Sequence, residues 1–238
     1  MSRNVVVTGG GTGIGKAVAA QFSQLGDHVT ITGRREDVLV ATAAEIGTNY
    51  VRFDASDPNA VEAALPALPE RVDVLVNAAG GNIFTATPPA TLAELNDLWL
   101  ENLRKNLVSA ALVTTALQDR IPDGGRIIHI GSQTARIGGG PYGAAKAGLE
   151  AWVASHAFEV GRRGITVNVI SPGLTDETDF YPFELPDSIR KPLLASAANG
   201  RAATPADVAP LVAFVASQQA SHITGQVLPV NGGASLYR

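Results

Sequence analysis

The chain has 238 residues, 18 basic and 22 acidic side chains, a formal net charge of −4, no cysteine and one methionine. That length fits a single domain, and 45% apolar residues is ordinary for a globular chain and too high for a disordered one. The acidic balance argues against a nucleic-acid surface, and the missing cysteine excludes disulfides, thiolate nucleophiles and cysteine-based metal sites. The four histidines (His28, His129, His156 and His222) are scattered without metal-ligand spacing. No apolar run approaches the roughly 18 residues that span a bilayer, so a cytoplasmic, metal-free domain is the expectation.

The first predicted strand covers 4–8 and runs into Thr8-Gly9-Gly10-Gly11-Thr12-Gly13-Ile14-Gly15. A helix is predicted over 14–25, where Ile14, Val18, Phe22 and Leu25 recur at helical spacing. A strand over 28–32 leads to Gly33-Arg34-Arg35, and a third over 50–53 to Asp54 and Ala55. The fourth strand, 72–76, precedes Asn77-Ala78-Ala79-Gly80, and a long helix runs from about 92 to 117. The fifth strand, 126–130, is followed by Ser132 and by a helix from about 142 to 160 that carries Tyr142 and Lys146. The sixth, 166–170, meets Ser171-Pro172-Gly173, and the last is 226–230. Strand and helix alternate strictly, and most strands are continuous apolar runs, as strands covered on both faces are. The prediction is a three-layer, doubly wound α/β domain with a parallel seven-stranded sheet, of the Rossmann type. Only 174–200, with Pro182, Pro186 and Pro192, breaks the rhythm; it is expected to be an irregular substrate loop.

The glycine-rich turn opens a helix directly after a strand, so free N–H groups and the helix dipole face any phosphate placed there. Its spacing, with Gly9, Gly13 and Gly15, resembles that of the short-chain dehydrogenase/reductase family. So do Asn77-Ala78-Ala79-Gly80, Asn106 in the central helix, Ser132, the Tyr142-x-x-x-Lys146 pair, Pro172-Gly173 and Ile223-Thr224-Gly225 before Asn231-Gly232-Gly233. The matches cover the whole chain in order. The resemblance implies a nicotinamide dinucleotide held by Gly9, Thr12, Gly13, Ile14, Gly15, Arg34, Arg35, Asp54, Ala55, Asn77, Ala79, Gly80, Tyr142, Lys146, Pro172, Gly173 and Thr175. It implies catalysis by Asn106, Ser132, Tyr142 and Lys146.

Tyr142 and Lys146 share one face of a helix. A tyrosine phenol has a pKa near 10 and is a poor acid–base catalyst at neutral pH. A lysine cation at roughly 4 Å, with an effective dielectric near 20, favours the phenolate by about 4 kcal/mol, less the cost of desolvation. Taken alone, such a pair is usually a surface pair. In the family's arrangement Tyr142 exchanges a proton with the substrate oxygen, Ser132 orients that oxygen, and Asn106 holds a water in a proton relay through Lys146. Ser132 and Tyr142 are ten residues apart, closer than the family usually has them, which suggests a shortened loop; Thr134 is the nearest substitute hydroxyl. Ala78 replaces a family asparagine thought to brace the sheet, so some loss of rigidity is expected.

NAD-selective sheets end their second strand with an acid that bonds the ribose 2′-hydroxyl. Here Gly33 and two arginines stand in its place, and a guanidinium can take a 2′-phosphate bidentately. NADPH is therefore expected, with Arg34 the main contact and Arg35 secondary, and NADH less favoured. Gln133, Ile137, Phe84 and Phe180 are candidate substrate contacts. The motifs look most like those of 3-oxoacyl-carrier-protein reductases, with Arg126 and Arg163 placed to meet an acidic acyl carrier protein. A small or polyketide-type ketone is an alternative substrate. An NAD(P)-dependent alcohol or sugar dehydrogenase and a non-enzymatic dinucleotide sensor are alternative functions. A homotetramer or homodimer is the family expectation.

Overall fold

The computed structural model describes residues 2–83, 87–181 and 183–235. Seven parallel strands form one sheet: β1 (Asn4–Thr8), β2 (His28–Gly33), β3 (Asn49–Arg52), β4 (Val74–Asn77), β5 (Arg126–Ile130), β6 (Thr166–Pro172) and β7 (Val227–Val230), in the order β3-β2-β1-β4-β5-β6-β7. Every strand pairing is parallel. The helices are α1 (Gly13–Gln24), α2 (Glu36–Ile46), α3 (Pro58–Ala64), α4 (Leu92–Leu103), α5 (Ser109–Leu117), α6 (Thr134–Ile137), α7 (Gly140–Val160), α8 (Asp187–Ser196) and α9 (Pro205–Val215).

The period-two alternation of each strand sends its side chains to two separate cores. On one face Val5 and Val7 of β1 meet Val18 and Phe22 of α1 and Val208, Val212 and Val215 of α9. On the other, Val6, Leu75, Ile127 and Val167 meet Val113 and Leu117 of α5 and Val153 and Val160 of α7. Both faces are thus covered, which accounts for the unbroken apolar strands. Strand order reverses between β1 and β4, and a crevice opens there at the carboxyl ends of the strands.

The predicted strands are all present within a few residues. The long helix expected over 92–117 is divided. It starts at a capping box, in which Glu94 N–H donates to Thr91 Oγ1 at 3.2 Å and Thr91 N–H to the Glu94 carboxylate at 3.2 Å. Then Arg104–Val108 forms a π turn between α4 and α5, a feature that concentrates at functional sites. The segment 174–200, expected to be irregular, contains α8. Its prolines read as breakers, but Pro186 stands at the N-cap, where no N–H is needed, and Pro192 lies within an exposed helix.

Candidate active site

The glycine-rich turn leaves β1 at Thr8 and wraps back over β4. A Cβ on Gly9 would lie 2.8 Å from the Ala78 carbonyl, and Gly9 has φ +66°, so glycine is required on both counts. The Thr8 hydroxyl accepts from Ala78 N–H at 3.2 Å and Ala79 N–H at 3.1 Å, which pins the two turns together. Thr12 stands at the N-cap of α1 without a side-chain cap bond, and the first turn holds no acid. The leading N–H groups of α1 are therefore not capped by Thr12 or by an acid of the first turn, and they line the crevice where a pyrophosphate would sit.

The crevice encloses about 620 Å³. Its walls include Gly9, Thr12, Gly13, Ile14, Gly15, Arg34, Arg35, Asp54, Ala55, Ala79, Gly80, Pro172, Gly173 and Thr175 from the expected nucleotide set, together with Ser132, Tyr142 and Lys146. The glycine cradle and the bare helix end fit a dinucleotide. One residue of the nucleotide set lies elsewhere. Asn77 is buried and its amide donates to Thr114 Oγ1 at 2.9 Å, on the α5 side of the sheet, so it supports β4 from behind. Phe84 lies outside the described residues.

Asp54 takes two hydrogen bonds on one oxygen, from Ser56 N–H at 2.9 Å and Ser56 Oγ at 2.6 Å. Burial opposes its ionisation, but these bonds and the charges of Arg34 and Arg104 outweigh it and hold the carboxyl below its usual range. Its second oxygen is left to a ligand donor such as an adenine amino group. Arg34 is exposed on the crevice wall, whereas Arg35 pairs with Asp179 at 2.8 Å.

The catalytic group forms where α7 passes β5. Lys146 is buried and its ammonium donates to the Ile130 carbonyl at 2.8 Å. Burial alone lowers its pKa to about 8. Tyr142, one turn earlier, is also buried, and the Lys146 nitrogen lies 5.7 Å from its ring centroid. The expected lowering of the Tyr142 pKa is corrected here: burial pushes the phenol up, the Ser132 hydrogen bond offsets part of this, and Tyr181 adds to the rise. With the lysine itself desolvated, its charge does not overcome the cost of a buried phenolate. The phenol is thus held in its protonated form.

Ser132 lies two residues past β5 and accepts a hydrogen bond from Thr134 Oγ1 at 2.9 Å. The shortened loop allows this. α6 folds against the start of α7, and a Cβ on Gly143 would come within 2.7 Å of the Thr134 carbonyl. Thr134 was legible only as a substitute for Ser132; its support of Ser132 depends on that turn.

Asn106 sits at the centre of the π turn, 1% exposed. Its Oδ1 accepts from Gly81 N–H at 2.9 Å, and its Nδ2 donates to the Gly81 carbonyl at 2.9 Å and the Asn102 carbonyl at 3.1 Å. Both ends of this amide thus fix the Gly80–Gly81 backbone beside Lys146. Gln133, Ile137 and Phe180 line the open end of the crevice, with Phe180 edge-on to Tyr142 at 5.2 Å.

A dinucleotide cradle facing a tyrosine and a lysine defines an oxidoreductase built on a Rossmann-type sheet. A family model described as enoyl-(acyl carrier protein) reductase matches residues 9–235. The 3-oxoacyl-[acyl-carrier-protein] reductase FabG of Escherichia coli (strain K12) is 37% identical over 237 residues, 96% of this chain and 95% of that one. A dehydrogenase/reductase from Sinorhizobium meliloti 1021 shares the fold with a TM-score of 0.89 at 31% identity, covering 99% of this chain and 96% of that one. The angucycline C-6 ketoreductase LanV, with bound NADP, has a TM-score of 0.88 at 28% identity, covering 98% and 95%. The chain belongs to the short-chain dehydrogenase/reductase family and is an oxidoreductase.

Proposed function

We propose that this enzyme is an NADPH-dependent ketoreductase in which Tyr142 delivers the proton to the carbonyl oxygen. The observation that carries the reading is the Ser132–Tyr142–Lys146 group on the wall of the dinucleotide crevice, with Tyr142 and Lys146 buried and the phenol held protonated. When bound, the dinucleotide supplies the hydride. The glycine-rich turn and α1 would hold its pyrophosphate, Asp54 its adenine, and Arg34 its 2′-phosphate. The end of β2 bears no carboxylate to repel that phosphate, and LanV carries NADP in the same fold. Ser132, aligned by Thr134, donates to the carbonyl oxygen and orients it. Tyr142 gives its proton to that oxygen, and the Lys146 cation below it stabilises the phenolate left behind. Lys146 holds its own position through Ile130 and loses its charge as the pH passes about 8.

For the substrate, a ketone free of a carrier protein is favoured over a carrier-bound 3-oxoacyl thioester. Arg126, expected to meet an acidic carrier, is 3% exposed and donates to the Gly124, Gly125 and Ser217 carbonyls. Arg163 is neutralised by Asp123 at 2.9 Å. The crevice mouth, with Ile137, Phe180, Tyr181 and Leu193, suits an apolar or aromatic ketone. The likeness to 3-oxoacyl-[acyl-carrier-protein] reductases keeps the thioester as the second reading.

NADPH oxidation is the test, run against aromatic ketones, β-ketoacyl thioesters free and on carrier protein, and sugars, with Tyr142→Phe as control. Turnover of free ketones that is lost in the control supports the proposal; turnover restricted to carrier-bound thioesters selects the second reading. Nucleotide binding with no turnover on any substrate refutes both. Leu92, Leu95 and Trp99 recur at helical spacing on α4 and stay exposed, as does Phe158 of α7. This supports assembly through these helices, and light scattering that gives a monomer mass refutes it.

A further inference from the structure

The Arg35 guanidinium, expected to face a 2′-phosphate, already has an anion. Asp179 lies 144 residues away in the chain, and its Oδ2 accepts from Arg35 Nη2 at 2.8 Å. The same nitrogen reaches Thr12 Oγ1 at 3.5 Å. The Arg35 bond, helped by Thr12, holds the Asp179 carboxyl below its ordinary range.

This contact is one end of a short strap. At its base Thr175 forms a bridge with Ala203, Asp176 N–H donates to the Ala203 carbonyl at 2.8 Å, and Arg190 grips the Asp176 carboxylate at 2.7 and 2.6 Å. Glu177 follows at φ +58°, the one non-glycine among the described residues with positive φ. Thr178 then lies over the glycine-rich turn, with its Cβ 3.3 Å from where a Cβ on Gly13 would be. Asp179 meets Arg35, and Phe180 packs edge-on against Tyr142 at 5.2 Å. Five consecutive residues therefore connect the adenosine end of the crevice to the proton donor. A carboxylate and a phosphate dianion repel each other, and one guanidinium edge cannot serve both.

We propose that Asp179 is a resident counter-ion for Arg35, displaced by the 2′-phosphate of the incoming dinucleotide, and that its release frees the strap from the glycine-rich turn and from Tyr142. This rests on the reading of the crevice as an NADPH site. Asp179 thereby weakens the preference for the phosphorylated cofactor that Arg35 supplies, and couples cofactor arrival to opening of the substrate side. Both partners are 60% exposed, so the effect is a few-fold and fades with salt.

The test is equilibrium binding of NADPH, NADH, 2′,5′-ADP and 5′-AMP to the full chain, to Asp179→Asn, to Arg35→Ala and to the double variant. Asp179→Asn is expected to tighten NADPH and 2′,5′-ADP by about three- to fivefold and to leave NADH and 5′-AMP within about twofold. The effect is expected to vanish in the Arg35→Ala background. In the unaltered chain, 2′,5′-ADP is expected to speed hydrogen exchange at the amides of 176–181. Weaker NADPH binding in Asp179→Asn, equal changes for both cofactors, or unchanged or slowed exchange in the strap overturns the proposal. If the unaltered chain binds 2′,5′-ADP no better than 5′-AMP, the 2′-phosphate reading fails and the proposal falls with it. Where that preference holds, Asp179→Asn judges the counter-ion alone.

Discussion

The Thr134 hydroxyl donates to Ser132 Oγ at 2.9 Å, which leaves the Ser132 proton to point toward Tyr142. In the proposed mechanism Thr134 is thus a positioning residue for Ser132. Thr134→Val removes one neutral hydrogen bond and is expected to lower kcat about fivefold, the equivalent of about 1 kcal/mol. Ser132→Ala removes the donor to the substrate oxygen itself and is expected to cost about 100-fold or more. Thr134→Ser keeps the donor and restores most of the rate. Steady-state kinetics on the three variants decides the matter, and equal losses in Thr134→Val and Ser132→Ala defeat the positioning role.

Lys146 makes stability depend on pH in a definite direction. Burial lowers its folded-state pKa to about 8, against about 10.4 in the unfolded chain. Between these values the unfolded chain binds more protons, so unfolding free energy rises with pH. The gain from pH 7.5 to 9.5 is expected to be about 2 kcal/mol, read from urea midpoints. Lys146→Met lacks this gain while keeping every other titrating group, so the difference between the two curves isolates the lysine. The reductive kcat/KM is expected to fall over the same window, as the cation beneath Tyr142 is lost. Parallel stability curves for the two proteins refute the assignment.

What the sequence made legible was local. The strand–turn–helix around Gly9 and the one-turn spacing of Tyr142 and Lys146 are each specified by residues a few positions apart, and each lies where expected. The contacts that escaped notice depend on how the chain returns. Asp179 meets Arg35 across most of the length of the protein. Arg126 is spent on carbonyls of its own turn and of Ser217. Asn77 was read from the right motif, but a motif does not say which side of a strand an amide faces, and the grip of the Asn106 amide on Gly81 depends on where that loop returns. The direction of the Tyr142 shift escaped for the same reason, since burial is a property of the packed helix and not of the Tyr–Lys spacing.

Asn106 holds Gly81 by both backbone groups. Asn106→Ala is expected to leave the half-buried Gly81 groups without their partner and to lower stability by about 1 kcal/mol. It is also expected to raise the KM for cofactor more than it lowers kcat, because the Gly80 turn lines the cofactor crevice. Gly80→Ala gives the same kinetic signature by another route, since its Cβ would lie 2.6 Å from Asn106 Oδ1. Thermal melts and cofactor titrations of both variants check this. A drop in kcat with unchanged cofactor KM in both would instead place Asn106 in the proton path.

Cofactor choice can be tested by restoring the missing acid. A Cβ on Gly33 would lie 3.5 Å from Leu39 Cδ2, an ordinary contact, so a Cβ is tolerated at that position. Gly33→Asp places a carboxylate at the end of β2, where it accepts from a ribose 2′-hydroxyl and repels a 2′-phosphate. A charge-assisted hydrogen bond gained on one cofactor and repulsion on the other are each worth about 1.5–3 kcal/mol. The ratio of kcat/KM for NADPH over NADH is therefore expected to fall by about 100-fold or more, with Arg34→Ala alone lowering it about tenfold. Because the substitution leaves Ser132, Tyr142 and Lys146 untouched, activity with NADH is expected to persist. If Gly33→Asp leaves the ratio unchanged while the protein still turns over, the 2′-phosphate is not bound at the end of β2, and the role given to Arg34 goes with it.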